Sequence, residues 1–326
     1  MSPKKLLAKF KKPNIHKYKF HIGAFLGLTI AYLIWGVNFV VVKLTLNEVP
    51  IMTMAFIRFF LASLLLLPFC LHDLRTNRIK VKHLPRLFLI GLLTVTFHIY
   101  LFYEGLSHTS AIDASVLSLV TPILSVIIGW SVAKEKIFSI NILGTALGLI
   151  GALVIVGIPL VFTSGFDLNI FSGNFLIILS SLVFVAGAIL SKKMLKIYSP
   201  LTLVFCSFVI GAITFLVPAG IDYLNNPGWV VKITVIGILG ILYITLLSTI
   251  CAFLLFEWAF NKVGLIKATL FQYIQPAISA SLAVPLLGER VSYSFIIGTC
   301  LIILGVYWGT LGKEEHHHHY FKHHHK

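Results

Sequence analysis

Apolar residues fill ten stretches of the chain between Ile22 and Leu311, separated by short polar connections. An α-helix needs about 20 apolar residues to cross bilayer hydrocarbon about 30 Å thick. Backbone groups in that layer must be hydrogen-bonded within the segment, which favours helices. The pattern predicts an all-α membrane protein with ten transmembrane helices at, approximately, 22–43, 50–71, 85–104, 111–132, 138–158, 173–192, 200–221, 232–257, 267–287 and 292–311.

The second five stretches resemble the first five. Offsets of 150 and 154 residues align these pairs: Pro50 with Pro200, Pro68 with Pro218, Pro122 with Pro276, Glu135 with Glu289, and Gly144 with Gly298. A unit with an odd number of spans has its second copy upside down in the membrane, and inverted repeats are typical of transporters. We therefore expect two inverted five-helix repeats, divided as follows: a basic tail over 1–21, a first repeat over 22–158, a loop over 159–172, a second repeat over 173–312, and a His-rich tail over 313–326.

The basic residues predict the orientation. The chain is 58% hydrophobic and 11% charged, with a formal charge of +15. Of its 26 Lys and Arg residues, 22 lie in the tails and the connections on one side of the predicted membrane and only Lys43, Lys232 and Arg290 on the other. This asymmetry predicts a multi-pass protein of the cytoplasmic (inner) membrane with both termini in the cytoplasm. It indicates contact of the basic tail with membrane lipids rather than with nucleic acid.

No motif of enzymatic chemistry is present in the sequence. The four cysteines are widely spaced and form no CxxC pair, and neither HExxH nor the phosphate-binding GxxxxGK[ST] occurs. We expect no catalytic residues, no metal site, no cofactor and no enzymatic activity. The His-rich end could chelate a metal or be an expression tag, and the sequence leaves both readings open.

Several short motifs carry a family resemblance. They are Trp35-Gly-Val-Asn38 in the first span, Arg58-Phe-Phe-Leu-Ala62 in the second, and Leu287-Gly-Glu289-Arg290 before the tenth. With the ten spans and the repeat, they resemble the EamA-type branch of the drug/metabolite transporter superfamily. The resemblance implies a basket-like helix arrangement with a central cavity, export of small metabolites, amino acids or drugs, and protons as a common coupling ion. Lys134-Glu135-Lys136 departs from the family, which often has Gly before this Glu.

Two polar helix faces are the first candidates for a substrate site. In the ninth span, Gln272, Gln275 and Ser279 recur at helical spacing, and Ser118 and Thr121 form the matching face of the fourth. Such faces are expected at a binding site in the middle of the membrane, although polar contacts between helices would give the same pattern. Pro122 and Pro276 interrupt both faces, as gating bends or as static kinks.

Other candidates lie in the first, third and eighth spans. Tyr32, Trp35 and Asn38 share one face of the first span, where they either line a cavity or pack ordinarily. Thr94 and His98 in the third span and Ser248 in the eighth complete the predicted site. His98 could relay protons, but a packing role is the alternative.

Three charged residues inside spans are costly enough to require an explanation. Arg58 either binds a substrate carboxylate or makes a fixed structural contact. Glu104 and Glu257 lie one position apart when the repeats are superposed. One interpretation gives them a role in ion coupling or gating, and the alternative makes them carboxylates at the membrane interface. Gly144 and Gly148 form a small-residue pair that we expect to pack within a monomer.

These features together predict a secondary-active transporter that exports small metabolites, amino-acid-like or drug-like solutes by alternating access. A passive facilitator or channel, and a non-transport membrane protein such as an enzyme or receptor, are the alternatives. The sequence identifies neither the solute nor the coupling ion.

Overall fold

The protein is built from helices. The computed structural model describes residues 15–133 and 167–310, together with scattered residues of 143–154, and the described residues contain no strand. We number the α-helices in chain order as α1 Ile15–Leu46, α2 Ile51–Thr76, α3 Leu84–Gly91, α4 His98–His108, α5 Ala111–Leu117, α6 Val120–Ala133, α7 Leu168–Met194, α8 Pro200–Asn225, α9 Trp229–Lys232, α10 Val235–Leu242, α11 Ala252–Val263, α12 Leu265–Thr269, α13 Ile274–Leu287 and α14 Tyr293–Thr310. Short 3-10 helices at Val81–His83 and Leu270–Tyr273 and π-helical turns at Leu92–Phe97 and Tyr243–Cys251 join some of them.

Seven helical segments of the described chain are long and apolar enough to cross a membrane. They are Ile22–Leu46, Ile51–Arg75, Val81–His108, Ala111–Ile128, Leu168–Met194, Pro200–Asn225 and Val235–Val263. They correspond to the predicted spans one to four and six to eight. The fifth predicted span, 138–158, lies mostly outside the described residues. The tenth corresponds to α14, whose apolar part, Tyr293–Gly305, is shorter, so the total of ten stays a prediction.

The fourth and ninth predicted spans are broken helices. The fourth is divided by a turn at Ser118 and Leu119 into α5 and α6, and the ninth contains the 3-10 turn Leu270–Tyr273. Each break lies just before a proline, Pro122 or Pro276, whose ring clashes with the carbonyl four residues earlier and whose nitrogen cannot donate a hydrogen bond. The prolines therefore stand in the first turn of a new helix rather than in the middle of a kinked one.

Helices α2 and α8 pack against each other and run antiparallel. The Asp222 carboxylate, near the end of α8, accepts hydrogen bonds from the Met52 and Thr53 N–H groups at the start of α2, at 3.0 and 3.2 Å. Asp73, near the end of α2, accepts from the hydroxyls of Ser199 and Thr202 at the start of α8. The start of each helix is thus bound by a carboxylate of the other, through two N–H groups in α2 and through two hydroxyls at the start of α8, whose Thr202 N–H is capped by Ser199 Oγ. Negative charge at a helix N-terminus is favourable.

A second reciprocal contact involves two loop residues. Glu48 Oε2 accepts from the Thr234 N–H before α10 at 2.8 Å, and the Tyr198 hydroxyl accepts from the Lys80 N–H before α3 at 3.0 Å. The acceptors are 150 residues apart and the donors 154, which are the offsets of the sequence repeat. The bond from the Thr234 N–H lowers the pKa of Glu48.

The exchange of acceptors between α2 and α8 leads to a stability prediction. Asp222→Ala removes the acceptor of two α2 N–H groups and should lower the free energy of unfolding by about 0.5–2 kcal/mol, the usual effect of losing an N-terminal cap. Asn225→Ala, three residues further along the same helix end, is the control and should change little, because Asn225 is exposed. Thermal unfolding of the detergent-purified variants measures both, and equal shifts would contradict the capping role of Asp222.

Candidate functional site

A cavity of about 640 Å³, counting its mouth, lies among the candidate membrane spans. Its lining comes from the first four spans and from the sixth, eighth and ninth, so both parts of the chain contribute. Ten of the twelve predicted substrate-binding residues line it: Tyr32, Trp35, Asn38, Arg58, His98, Ser118, Thr121, Ser248, Gln272 and Gln275.

The structure places Thr94 and Ser279 outside the cavity lining. The Thr94 hydroxyl donates to the Ile90 carbonyl within its own helical turn, at 2.8 Å. The Ser279 hydroxyl donates to the Ala111 carbonyl at 3.0 Å and joins α13 to α5. Ser279 thus makes a polar contact between helices, which was the alternative interpretation of the ninth-span face. Gln272 and Gln275 of the same face line the cavity.

Sequence reasoning missed seven lining residues. Ser180 and Ser181 stand in α7 at positions whose first-repeat mates, Ile30 and Ala31, are apolar, so the repeat gave no signal for them. A serine pair in an otherwise apolar span is the only cue. The other missed residues are apolar and look like ordinary core in a sequence: Phe39, Ile99, Phe102, Phe184 and Phe253.

Aromatic rings form one wall of the cavity around Trp35. The Trp35 ring centroid lies 5.3 Å from those of Tyr32 and Phe253 and 5.5 Å from that of Phe256. The indole N–H donates to the Ser248 carbonyl at 3.0 Å. Ser248 belongs to the π-helical stretch Tyr243–Cys251, a departure from α geometry that is frequent at functional sites. The ring of Trp35 is therefore fixed both by edge-to-face packing and by a hydrogen bond.

Arg58 is almost fully buried in α2, with 2% of its surface exposed, yet its guanidinium reaches the cavity. Its Nε donates to the Thr249 hydroxyl at 2.8 Å, and its Nη1 donates to the Tyr103 hydroxyl. The guanidinium carbon lies 4.8 Å from the ring centre of Phe59 and 5.6 Å from that of Tyr103. These contacts hold the cation at a fixed position.

His98 also lines the cavity, where the third span meets α7. Its Nδ1 is 3.1 Å from the Ser180 carbonyl, and its ring lies 5.0 Å from Phe184 and 6.2 Å from Phe102. Since a carbonyl can only accept, Nδ1 carries the proton. Nε2 is then the ring nitrogen that could exchange a proton, and the relay role stays a prediction.

Polar groups of the cavity wall are incompletely satisfied. Gln272 Nε2 donates to the Ser118 carbonyl at 2.9 Å, the carbonyl that Pro122 leaves without its usual helical donor. In contrast, Asn38 Oδ1, Gln275 Oε1 and Ser248 Oγ are buried without a hydrogen-bond partner in the described structure. Buried polar atoms are nearly always paired in folded proteins, so these three groups have unused hydrogen-bonding capacity beside the cavity.

The two predicted coupling carboxylates have different surroundings. Glu104 is partly exposed at the end of the third span, and its Oε1 is 3.3 Å from His108 Nε2. Glu257 in α11 is buried, with 7% exposure, and its Oε2 has no hydrogen-bond partner within the part of the chain that the structure describes. Neither residue lines the cavity, and Pro122 and Pro276 flank its lining at the helix breaks. Within the described residues, no three His, Cys, Asp or Glu side chains are grouped closely enough to hold a metal ion.

A cluster around Glu289 joins distant parts of the chain at one end of the molecule. The Glu289 carboxylate accepts from the Ala111 and Ile112 N–H groups at 2.7 and 3.0 Å and lies 3.5 Å from Lys43 Nζ. Lys43 also donates to the Thr109 carbonyl. The loop after α13 is thereby connected to the end of α1 and the start of α5.

Comparison with known proteins agrees with this architecture. The model of the EamA-like transporter family matches residues 21–157 and again 171–310. An uncharacterized transporter of Archaeoglobus fulgidus is 26% identical over 88% of this chain and 97% of its own. A probable amino-acid metabolite efflux pump of Salmonella typhimurium is 26% identical over 88% and 94%. A crystal structure superposes with a TM-score of 0.62 at 15% identity, over 88% of this chain and 96% of that one.

Proposed function

The chain belongs to the EamA-like transporter family, and on that premise we propose that this membrane transporter of small solutes is a secondary-active exporter working by alternating access. The observation that carries the proposal is the cavity among the membrane spans, with its fixed aromatic wall and its unsatisfied amide and hydroxyl groups. Carriers bind their solutes near the middle of the membrane, between two halves that move against each other. Among the candidate solutes we favour amino-acid-like ones, because the chain is similar to a probable amino-acid metabolite efflux pump.

We further propose that the two halves are inverted five-helix repeats, ten helices in all. The antiparallel pair α2 and α8 supports this, because a carboxylate near the end of each helix accepts hydrogen bonds at the start of the other. The contacts of Glu48 with Thr234 and of Tyr198 with Lys80, which repeat at the sequence offsets, are further support. In this arrangement the predicted cavity residues of both halves form one substrate site.

The distribution of Lys and Arg supports a location in the inner membrane with both termini in the cytoplasm. We propose a monomer, because small residues of the described structure are used within one chain. A Cβ atom on Gly305 would come within 2.5 Å of the Gly144 carbonyl and still closer to the Gly148 nitrogen. The predicted small-residue pair therefore packs against α14 rather than being left free for a second copy.

Counterflow in proteoliposomes tests the transport proposal. Solutes that raise the thermal unfolding temperature of the purified protein are first selected from amino acids, carboxylates and amphipathic drugs. A carrier preloaded with unlabelled solute should transiently accumulate the labelled solute, because exchange requires a binding site that faces the two sides in turn. Equilibration without overshoot would favour a passive facilitator, and absence of any flux would contradict transport.

Proton coupling gives a prediction about the buried carboxylate. We propose that Glu257, a buried carboxylate whose Oε2 has no hydrogen-bond partner among the described residues, binds the coupling proton. Glu257→Gln should abolish the stimulation of transport by a pH gradient while counterflow persists, because an amide cannot exchange a proton. Glu104→Gln, at the partly exposed carboxylate, is the matched control and should keep the stimulation. Loss of stimulation in Glu104→Gln alone would assign the coupling role to Glu104 instead.

A further inference from the structure

We propose that Arg58 binds the carboxylate of an amphipathic monocarboxylate whose apolar body packs on the aromatic wall of the cavity. The inference rests on the proposed transport function and assigns a solute class to the same site. The observations that support it are the unused donors of Arg58, the lack of an acidic partner, and the polar groups near it.

The guanidinium of Arg58 has hydrogen-bonding capacity left over. It carries five N–H groups, of which Thr249 and Tyr103 accept two. Among the described residues, no hydrogen bond uses the other three N–H groups, and Arg58 lines the cavity, so these donors are available to a ligand there. A planar guanidinium with free N–H groups matches the two oxygens of a carboxylate.

The positive charge of Arg58 is not neutralised by the protein around it. Within the described part of the chain, no Asp or Glu carboxylate lies within 4 Å of the guanidinium. Phe59 and Tyr103 offer ring faces, which attract a cation but carry no net charge. A buried charge without a counter-ion is costly, and an anionic solute in the cavity would supply the missing charge.

The rest of the lining fits the other parts of such a solute. Asn38 and Gln275 are 6% and 4% exposed, and the amide oxygen of each has no partner among the residues that the structure describes. Rotation of either amide presents an N–H donor or an oxygen acceptor to a ligand. The rings of Trp35 and Phe253 provide the apolar surface. The described cavity lining contains one permanent charge, that of Arg58, which favours a single carboxylate over a dianion.

A purely structural role is the competing explanation, because Arg58 connects α2 to α4 through Tyr103 and to the π-helical stretch through Thr249. The two roles predict different selectivity. A structural arginine affects all solutes equally, whereas a carboxylate-binding arginine distinguishes an acid from the amide in which its carboxylate is replaced. The ratio of two affinities does not depend on the fraction of protein that is folded, so it separates the roles even in a weakened variant.

The test measures binding of three carboxylates and their amides, namely 3-phenylpropionate, L-phenylalanine and octanoate, to the purified full chain in nanodiscs. Wild-type protein should bind at least one acid at least tenfold more tightly than its amide. Arg58→Gln should bring this ratio close to one, and Arg58→Lys should give an intermediate ratio, since a charge remains without the guanidinium fork. Ser63→Ala, in the same helix, is the control, because the Ser63 hydroxyl donates to the Phe59 carbonyl of its own helix and Ser63 is outside the cavity lining, and it should keep the preference.

The comparison of acids also separates an amino acid from a simple carboxylic acid. The proposal fails if no acid binds more tightly than its amide in wild-type protein, or if Arg58→Gln weakens acid and amide to the same extent. Counterflow distinguishes this failure from failure of the transport function. Exchange of a neutral solute that is unaffected by Arg58→Gln would overturn the carboxylate site alone, whereas acid-selective binding without any exchange would overturn transport alone.

Discussion

Gly173→Ala is expected to destabilise the protein by about 1–3 kcal/mol, the usual penalty for overpacking a tight interior. Gly173 of α7 and Gly105 of α4 lie where the backbones of these helices touch. A Cβ atom on Gly173 would be 2.8 Å from the Gly105 carbonyl oxygen and 2.9 Å from His108 Cβ. Because the obstacle includes backbone rather than the end of a flexible side chain, the helices must separate.

Gly220 provides the control for this substitution. It lies in α8, also within a candidate membrane span, and a Cβ atom there would meet no atom of the described residues within 4 Å. Gly220→Ala should therefore leave the unfolding temperature nearly unchanged. The measurement is thermal unfolding of both variants in the same detergent, followed by size-exclusion chromatography. Tolerance of Gly173→Ala to the same degree as Gly220→Ala would show that α4 and α7 do not touch closely in solution.

Glu289→Ala should have an effect of similar size, a loss of about 1–3 kcal/mol, because it leaves buried donors without an acceptor. The substitution removes the acceptor of the Ala111 and Ile112 N–H groups and the carboxylate beside Lys43. These donors lie at the N-terminus of α5, where a negative charge is most favourable. We therefore also expect the end of the molecule around Thr109 to open more easily.

Glu48→Ala is the matched comparison for Glu289→Ala. Glu48 also accepts from the N-terminus of a helix in another part of the chain, through the Thr234 N–H, but it lies where water can replace it. Its loss should therefore be smaller. Thermal unfolding ranks the two variants, and hydrogen exchange at Ala111 and Ile112 reports the local opening. Equal unfolding temperatures, with unchanged exchange, would show that Lys43 and Glu289 do not hold this end together.

Hydrophobic periodicity was sufficient to predict much of this molecule. Apolar runs of about 20 residues identified the seven candidate spans, and a period of 3.6 residues placed Asn38, Ser118 and Gln275 on faces that converge on the cavity. Such patterns are local in sequence, because they depend only on whether a residue faces hydrocarbon or a polar environment. The family resemblance was confirmed by the match of the family model to both halves.

Other features of the site depend on contacts that no local pattern records. From the sequence, Phe184 and Phe253 look like core residues, but in the assembled structure they line the cavity. Ser279 looks like a lining residue, but its hydroxyl donates to the Ala111 carbonyl. At Pro122 and Pro276, the sequence predicted bends within continuous helices. The structure has a turn before Pro122 and a 3-10 helix before Pro276, and a new α-helix begins two residues ahead of each proline. The partners of Glu289 are separated from it by more than 170 residues.

The capping of α2 by Asp222 of α8 has a consequence for how the polypeptide folds during synthesis. During synthesis, the Met52 and Thr53 N–H groups enter the membrane environment long before ribosomes reach Asp222, their eventual acceptor. Until then, water or lipid headgroups must accept the hydrogen bonds of these two N–H groups. In a fragment that ends before Asp222, the N-terminus of α2 would lack this acceptor. We therefore expect either half to be degraded when it is produced alone and to be retained when both halves are made in the same cell.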